Sequence, residues 1–476
     1  MRGSGAIHAK LAPVEALAQA PDIRLKPGKA QPDGPALLPR LLRGLPFRQN
    51  AAAFLKENAE KYGDLVYFET FGIKALQFNH PDLIYDLFVR DAHRHHRGLV
   101  MQRSRMVLGN GLLTSEEPLH MRQRRLAQPA FHRQRIAAYG ETITHYTRMM
   151  TNAWVSGTVV DVHKEMLLLA LRIVGKTLFD TEVEGEVHRI AAAVDSFMGF
   201  LPLAFLPFPE LIQRLPLPAM RRIREGRAGL DELIYRMIRE RRAEPGDRGD
   251  LLSMLLAAAD VEEGGGVAHM SDEQVRDECL TVLLAGHETT ANALSFALRL
   301  VAGHSEIQQR MADEADRVLA GHAATAEDFG NLKYTEQVFA EALRLYPPVW
   351  VTARTAAEDY VYRGVPIRKG TILIAPQYAV HRDARWWPDP EHFDPMRFTL
   401  EAKATRPKMA FFPFAAGSRQ CIGEGLAWME GVLALATIFQ HWRLTLASGS
   451  DPEIGIEPAI SLRPKGAVPL VVERRG

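Results

Sequence analysis

The chain has 476 residues, of which 47% are apolar and 24% are charged, and its formal net charge at pH 7 is +1. This composition is ordinary for a globular protein, and the near-zero charge gives no general attraction to nucleic acid or to anionic membranes. The two cysteines, Cys279 and Cys421, exclude a four-cysteine zinc site and a framework of several disulfides. They predict a reducing, cytoplasmic location.

The N-terminal region decides between an anchored and an unanchored protein. Charged residues and prolines interrupt residues 1–50, which contain neither the ~20 apolar residues of a membrane span nor a signal-peptide core. We therefore predict no membrane anchor and a disordered segment at residues 1–35. Because no linker or repeat divides the remainder, residues 36–476 are predicted to form a single large domain.

The first predicted elements are short. An amphipathic helix is predicted from Asn50 to Tyr62, a hairpin over residues 65–78, and a second helix over residues 81–90. Residues 91–98 contain three histidines, His93, His95 and His96. A metal cluster there is conceivable, but a solvated loop is the preferred interpretation because no Cys or carboxylate ligand spacing accompanies the histidines.

Three segments follow with contrasting character. Residues 116–135 are strongly basic and by themselves indicate a charged helix face, whereas residues 162–179 predict an apolar core helix. Residues 197–209 are uncharged and broken by prolines, so they are too short and too irregular to span a membrane. Such a segment suits either a loop over an apolar pocket or a patch that touches lipid or a partner.

The longest predicted helix begins at Ser271 and continues to about Ala302. Ser271 and Gln274 form a capping box, and the first turn is acidic. A helix of ~30 residues is ~45 Å long, which is enough to cross the whole domain.

The middle of this helix reads Ala285-Gly286-His287-Glu288-Thr289-Thr290. A glycine, an acid and two hydroxyls in an apolar helix cost stability unless the protein uses them. The alternative is a threonine bonded to its own i−4 carbonyl and a glutamate at the surface. His287 is assigned a structural role, and Cys279, two turns upstream, is assigned to the core.

Amphipathic helices are predicted next at residues 305–319 and 334–346. The second contains Glu341 and Arg344, an i, i+3 pair that alone indicates only a surface ion pair worth roughly a few tenths of a kcal/mol. Further strands are predicted at residues 349–354, 360–374 and 442–472.

Residues 411–423 read Phe-Phe-Pro-Phe-Ala-Ala-Gly-Ser-Arg-Gln-Cys-Ile-Gly and precede an apolar helix at residues 426–436. Amide N–H groups near the start of that helix would stabilise a negative sulfur at Cys421, which suits a thiolate metal ligand. A lone cysteine is more commonly a buried, inert thiol, but the complete pattern is much rarer than a lone cysteine.

The residues around Cys421 support this interpretation. Gly417 and Gly423 allow the backbone to approach a flat cofactor where a side chain would collide. Phe414 would cover the sulfur and influence its electronics, and Arg419 would present a positive charge to an anionic group of the cofactor.

The pattern Phe414-x-x-Gly417-x-Arg419-x-Cys421-x-Gly423 resembles the haem-binding loop of the cytochrome P450 superfamily, with Ala415 where many members carry glycine. The resemblance covers nearly all of the chain after about Asn50, and it is to the soluble, bacterial type. It implies a mainly α fold with small β-sheets (α+β), in which a long central helix crosses the haem, and it implies that residues 197–209 form a substrate lid.

The resemblance also implies a role for individual residues. Cys421 would be the proximal iron ligand, and Glu288 and Thr289 would be the acid and the alcohol that relay protons during oxygen activation, with Gly286 making room for the ligand. Haem-propionate partners would be Arg124, Arg354, Arg419 and His120, which stands where the family carries Trp. A structural network would comprise Glu341, Arg344 and Arg397. The substrate wall would comprise Leu283, Leu284, Ala285, Val349 and Trp350, although Trp350 equally fits an ordinary core position.

The implied reaction is insertion of one oxygen atom from O2 into a small apolar substrate, with haem b as the cofactor. A fatty acid, terpenoid, steroid or aromatic compound would each fit the apolar wall. No flavin or nicotinamide motif is found, so electrons are expected from a separate ferredoxin and ferredoxin reductase. A basic docking face for the ferredoxin is predicted from Arg122, Arg125, Arg133, Arg135, Lys403, Arg406 and Lys408.

Three alternatives remain open. A peroxygenase would use H2O2 directly, but family members of that kind usually lack the acid–alcohol pair that this chain retains. A non-catalytic haem-thiolate binding or sensing protein would have no need of proton delivery. Catalysis of a rearrangement without net oxygen insertion is the third alternative.

Overall fold

A computed structural model describes residues 20–26, 31–35, 50–70, 72–180, 218–244, 246–261, 267–451 and 453–476. The predicted lid at residues 197–209 lies outside the described residues. Part of the predicted disordered segment is placed against the first strand. The Asp22 N–H donates to Asp64 Oδ2 at 2.7 Å, and the Tyr67 N–H donates to the Asp33 carbonyl at 3.0 Å.

The described residues are mostly helical. The α-helices are α1 (Ala51–Tyr62), α2 (Pro81–Tyr85), α3 (Leu99–Leu108), α4 (Leu119–Ala127), α5 (Arg133–Asn152), α6 (Val162–Phe179), α7 (Pro218–Ala243), α8 (Leu251–Ala257), α9 (Asp272–Ala302), α10 (Ser305–Leu319), α11 (Lys333–Leu345), α12 (Gln377–Val380), α13 (Leu400–Ala404) and α14 (Glu424–His441). A π-helical turn at Asp86–Arg90 continues α2, so the helix predicted at residues 81–90 is present in two forms.

The strands are short and form small sheets. They are β1 (Leu65–Thr70), β2 (Ile73–Phe78), β3 (His95–Arg97), β4 (Thr158–Asp161), β5 (Ala259–Val261), β6 (Val267–His269), β7 (Thr352–Ala356), β8 (Tyr360–Tyr362), β9 (Val365–Ile367), β10 (Ile372–Ala375), β11 (Trp442–Leu446), β12 (Ile456–Pro458), β13 (Leu462–Pro464) and β14 (Pro469–Arg474). One sheet has the order β1-β2-β10-β7-β3 and another β11-β14-β4, while β5-β6, β8-β9 and β12-β13 pair separately.

Helix ends follow the side-chain caps that the sequence provides. The Asn50 side chain accepts from the Ala53 N–H at 3.1 Å, and α1 stops before Gly63, whose φ of 91° breaks the helix. Asp161 caps α6 by accepting from the His163 N–H at 3.2 Å. Both helices confirm the predicted ranges because local cap chemistry determines their ends.

The long helix α9 is confirmed and lies at the centre of the main core. The Ser271 hydroxyl accepts from the Gln274 N–H at 3.2 Å, and 31 residues of helix follow. At 1.5 Å per residue this helix is about 45 Å long. It packs against α6, α7, α11 and α14. No helix among the described residues is long and apolar enough to span a membrane.

The prediction of a solvated loop at residues 91–98 is wrong. His95, His96 and Arg97 form β3, which pairs antiparallel with β7. His95 contacts the Tyr360 hydroxyl at 2.8 Å and the Leu87 carbonyl at 3.2 Å, and burial lowers its pKa to about 4. The partner strand is more than 250 residues away in sequence, so local sequence gave no signal for the pairing. Within the described parts of the chain, no group of three or more His, Cys, Asp or Glu side chains could hold a metal ion.

Candidate functional site

The loop before α14 is held by its own backbone. The Cys421 N–H donates to the Phe414 carbonyl at 3.0 Å, and the Gln420 N–H donates to the Gly417 carbonyl at 3.1 Å. Gly417 has a φ of 74°, and a Cβ at this position would collide with the Phe88 carbonyl oxygen. Glycine is therefore required at position 417 for both backbone conformation and close approach.

The Cys421 thiol has an unusual environment. Its side chain keeps accessible surface, yet burial of the sulfur raises the thiol pKa to about 11, against the lowering effects of the Gly423 N–H and Arg124. Together these properties describe a thiol that lines an internal cleft. Such a thiol is protonated at neutral pH and becomes a thiolate when a metal cation binds it.

A second accessible surface lies in the middle of α9. Ala285 is exposed and Leu284, Glu288 and Thr289 are half-buried, although the helix is buried on both sides of this stretch, over 275–283 and 290–301. The middle of α9 therefore forms a recessed, accessible surface between two buried stretches of the same helix.

Cationic side chains cluster beside the Cys421 loop. Arg419 donates to the Ser115 carbonyl at 2.6 Å and lies 3.3 Å from Glu116 Oε2 and 3.6 Å from Glu117 Oε1. Buried His120 contacts the same Glu117 oxygen at 2.9 Å, and burial, followed by repulsion from Arg419, lowers the pKa of His120 to about 4.

Two further arginines complete this cluster. Arg354 is 6% exposed, and burial, followed by repulsion from Arg419, lowers its pKa to about 10. Arg97 lies opposite Arg354 in the β3–β7 register, and its pKa is also lowered, first by burial and then by Arg354. Buried, mutually repelling guanidinium groups favour a site for a bound anion.

Sequence reasoning missed Arg97. It ends the histidine-rich stretch that was predicted to be a loop, and its Nε is buried without a hydrogen-bond partner. Only the β3–β7 pairing, which joins it to Arg354, identifies it as part of the site.

Arg124 has a different position from the other predicted propionate partners. It donates to the Gln420 carbonyl at 2.7 Å, directly beside Cys421. Burial lowers its pKa, whereas Cys421 acts in the opposite direction. Arg124 thus joins α4 to the Cys421 loop.

Glu288 and Thr289 have distinct hydrogen bonds. Thr289 donates to the Ala285 carbonyl at 2.6 Å, the i−4 bond expected from the alternative interpretation of this helix. Glu288 Oε1 accepts from the Ser461 hydroxyl at 2.9 Å, so the glutamate is not a simple surface residue. Because the Thr289 proton is engaged, its oxygen is left as an acceptor toward the cleft.

Gly286 and His287, which precede this pair in sequence, pack against α6. A Cβ at Gly286 would lie 3.1 Å from Val174 of α6, so the glycine permits close packing of these two helices. His287 Nε2 contacts the Leu167 carbonyl at 3.0 Å, and burial lowers its pKa to about 4, consistent with a structural role. Cys279 is fully buried in the core, as predicted.

Glu341, Arg344 and Arg397 lie together. Glu341 and Arg344 form a fully buried bidentate pair with distances of 2.6 and 2.7 Å, and Arg397 Nε lies 3.4 Å from Glu341. Arg344 also donates to the carbonyls of His381 and Pro390 at 2.9 and 2.7 Å. A pair buried in this way, with its remaining donors satisfied, is a structural lock and not a surface ion pair.

The predicted substrate wall divides into two groups. Leu284, Ala285 and Val349 keep accessible surface. Leu283 and Trp350 are 4% exposed, and the Trp350 indole donates to the Ala459 carbonyl at 3.0 Å. The assignment of Leu283 and Trp350 to the wall is therefore corrected, because both pack in the core.

Comparison with known families identifies the protein. The family model described as Cytochrome P450 matches residues 32–471. The chain belongs to the cytochrome P450 family. It is accordingly a haem-thiolate oxidoreductase of the monooxygenase type, as the Cys421 loop predicted.

Individual P450 relatives agree with this assignment. A cyclooctat-9-en-7-ol 5-monooxygenase of Streptomyces melanosporofaciens is 36% identical over 393 residues, covering 82% of this chain and 84% of the relative. A pentalenene oxygenase of Streptomyces avermitilis is 35% identical over 392 residues, covering 82% and 86%. The crystal structure of the cytochrome P450DA haem domain superposes with a TM-score of 0.81 at 28% identity, covering 94% of this chain and 98% of that one. The predicted α+β P450 fold is confirmed.

The residues of the site fit a haem. Cys421 provides one soft, accessible sulfur ligand, which suits the iron of a haem. The cluster of Arg97, Arg354 and Arg419 suits the negative propionates of that cofactor. When bound, the haem supplies the activation of O2 that defines P450 chemistry.

Proposed function

We propose that this P450 inserts one oxygen atom from O2 into a terpenoid hydrocarbon or alcohol, with haem b as its cofactor and with electrons from a ferredoxin and its reductase. The observations that carry the proposal are the accessible Cys421 thiol and the acid–alcohol pair Glu288 and Thr289, which keeps accessible surface in the middle of α9. A substrate C–H bond becomes C–OH and the second oxygen atom leaves as water, which consumes two electrons and two protons. The two free cysteines of this chain support a reducing, cytoplasmic location.

Residues near Cys421 would hold the cofactor. Cys421 would bind the iron through its sulfur, and the Gly423 N–H and Arg124 would stabilise the thiolate. Phe414 would pack beside the sulfur, with its ring 5.9 Å from that of Trp428. Around the propionates we place Arg97, His120, Arg354 and Arg419.

Residues on α9 would control protons. Thr289 donates to the Ala285 carbonyl, so its oxygen can accept a hydrogen bond from a water or a protonated group in the cleft. Glu288 is beside it in sequence and would pass protons inward from solvent. The acid–alcohol pair supports O2-driven oxygenation over a peroxide-driven or non-catalytic role.

The substrate class is supported by the accessible wall and by the relatives. Leu284, Ala285 and Val349 are apolar and keep accessible surface, which suits a hydrocarbon skeleton. The relatives named above are a pentalenene oxygenase and a cyclooctat-9-en-7-ol 5-monooxygenase. We extend this terpenoid class to the present chain.

Turnover with a defined probe tests the proposal. The protein is combined with ferredoxin, ferredoxin reductase, NADPH, isotopically labelled O2 and pentalenene. We expect NADPH consumption that depends on pentalenene, and a product that carries one labelled oxygen atom. Product formed with H2O2 but not with NADPH would identify a peroxygenase, and an unlabelled rearranged product would contradict oxygen insertion. A panel of fatty acids, steroids and aromatic compounds tests the substrate class.

A further inference from the structure

A polar chain connects the α9 acid to the turn between β12 and β13. The Ser461 hydroxyl lies 2.9 Å from Glu288 Oε1, and Asn292 Nδ2 lies 3.0 Å from Ser461 Oγ. Asn292 and Ser461 are 0% and 2% exposed, and Asn292 follows Glu288 by one helical turn. The contact therefore bridges two segments 173 residues apart.

The direction of each hydrogen bond is determined by chemistry. The Ser461 hydroxyl donates its single proton to Glu288 Oε1. The Ser461 oxygen can then only accept, which requires the amide N–H of Asn292 to point toward it. The chain thus runs from Asn292 through Ser461 to Glu288 and polarises the serine hydroxyl toward the acid.

The turn that carries Ser461 is itself fixed. The Ala459 N–H donates to the Ser461 carbonyl at 3.1 Å, and the Leu462 N–H donates to the Pro348 carbonyl at 2.7 Å. The Trp350 indole holds the same turn through the Ala459 carbonyl at 3.0 Å. Ser461 therefore presents its hydroxyl to α9 from a rigid backbone.

We propose that Ser461 is a positioning residue that fixes the Glu288 carboxylate in its proton-delivering orientation, with Asn292 orienting the serine. The proposal rests on the monooxygenase function proposed above, because only a reaction that consumes protons needs an oriented acid. Ser461→Ala would remove this hydrogen bond from the Glu288 carboxylate and from the Asn292 amide, and would weaken the hold on the orientation of the carboxylate. Ser461→Thr keeps the hydroxyl.

Thermal unfolding of the haem-loaded protein tests the contact without any turnover. We expect Ser461→Ala and Glu288→Ala each to lower the Tm by a few degrees. The Tm of the double variant should fall by clearly less than the sum of the two single decreases, because both substitutions remove the same Ser461–Glu288 hydrogen bond. Ser295→Ala is the matched control. Ser295 is a buried serine of α9 that donates to the Ala291 carbonyl at 2.6 Å and contacts His163, so its effect should add to that of Glu288→Ala. Additive losses for Ser461→Ala and Glu288→Ala would overturn the proposal.

Turnover measurements then distinguish a positioning role of Ser461 from a general contribution of Ser461 to the stability of the fold. With ferredoxin, NADPH and pentalenene, Ser461→Ala should release about tenfold more H2O2 per product than the wild type, because misplacing a catalytic group by a small distance is costly. Turnover driven by added H2O2 should change little, and Ser461→Thr should restore the NADPH route. Equal losses by both routes, or no rescue by threonine, would overturn the positioning role. An inactive wild type would instead contradict the proposed function, and the thermal cycle would still decide whether Ser461 acts on Glu288.

Discussion

Ala415 has a backbone conformation that suits glycine better. Its φ is 56°, in the left-handed region, and its N–H donates to the Phe412 carbonyl at 3.0 Å within the turn that leads to Cys421. A left-handed conformation costs an L-residue roughly 1–2 kcal/mol, part of which glycine loses again through its greater freedom in the unfolded chain. The departure of this residue from the family pattern is therefore a source of strain in the loop.

Ala415→Gly should stabilise the protein by about 0.5–1 kcal/mol, because glycine adopts this left-handed backbone conformation without strain. Thermal unfolding of the haem-loaded protein measures the effect. Ala320→Gly is a matched control, since Ala320 has a φ of 45° at the C-terminus of α10, away from the Cys421 loop. Both variants should raise the Tm. A rise for Ala320→Gly alone would show that Ala415 is not strained.

The role of a residue could be predicted from sequence where it depends on neighbouring residues in the chain. It could not be predicted where it depends on whether the side chain is buried in the folded protein. The spacing around Cys421 identified the thiol, the Gly417 turn and Arg419 from sequence alone. Trp350 and Leu283 were placed on the substrate wall because an apolar residue near a site looks the same whether it faces the cleft or the core. Arg97 was missed because its relation to Arg354 exists only after β3 pairs with β7.

Helix α14 contains a buried acid, Glu430. Glu430 is 1% exposed, its Oε1 has no hydrogen-bond partner among the described residues, and burial raises its pKa to about 8 from an ordinary 4.5. The folded protein therefore keeps a proton on Glu430 that the unfolded chain releases between about pH 4.5 and pH 8. The contribution of this residue to stability falls as the pH rises through that window.

Glu430→Gln should remove this pH dependence, because the amide cannot ionise. Relative to the wild type, the variant should gain stability on the order of 2–4 kcal/mol between pH 5 and pH 9. Tm measurements at both pH values test this, with Glu306→Gln, an exposed acid of α10, as the control. A difference between Glu430→Gln and wild type that stays constant with pH would contradict the assignment.

At the scale of elements, caps and periodicity predicted helices well. The range of α6 was predicted to the residue and α9 to within one residue, because Asp161 and Ser271 mark their starts. The short strand β3 was missed because three residues carry too little local signal and its partner lies far along the chain. Helices and strands can thus be predicted from sequence where caps and periodicity within the segment determine them.

At the scale of the whole molecule, α4 connects the cofactor site to the protein surface. Arg124 of this helix bonds the carbonyl beside Cys421, and Arg125 on the same helix is exposed. Other members of the predicted docking face contact neighbouring residues. Arg135 pairs with Asp247 at 2.5 Å, and Arg406 is half-buried, lies 4.1 Å from the Trp387 ring and donates to the Arg397 carbonyl at 2.6 Å. Arg122 and Arg125 lie on α4, the helix that contacts the Cys421 loop through Arg124, so the docking proposal centres on this helix.

Reversing Arg122 and Arg125 to Glu should raise the Kd for a ferredoxin roughly tenfold at low salt, because complementary charges steer and hold an acidic partner. The effect should shrink at high salt as charges are screened. Arg221→Glu, an exposed arginine of α7, is the control and should leave the Kd unchanged. An unchanged Kd for the α4 variant would exclude α4 as the docking helix.

The carbon monoxide difference spectrum of the reduced protein tests the central claim most directly. We expect wild type to show a thiolate-type Soret band, Cys279→Ala to keep it, and Cys421→Ser to lose it, because only Cys421 lines the cleft while Cys279 is fully buried. A wild type that binds no haem, or a Cys421→Ser variant that keeps the same band, would contradict Cys421 as the iron ligand and with it the roles assigned to the surrounding residues.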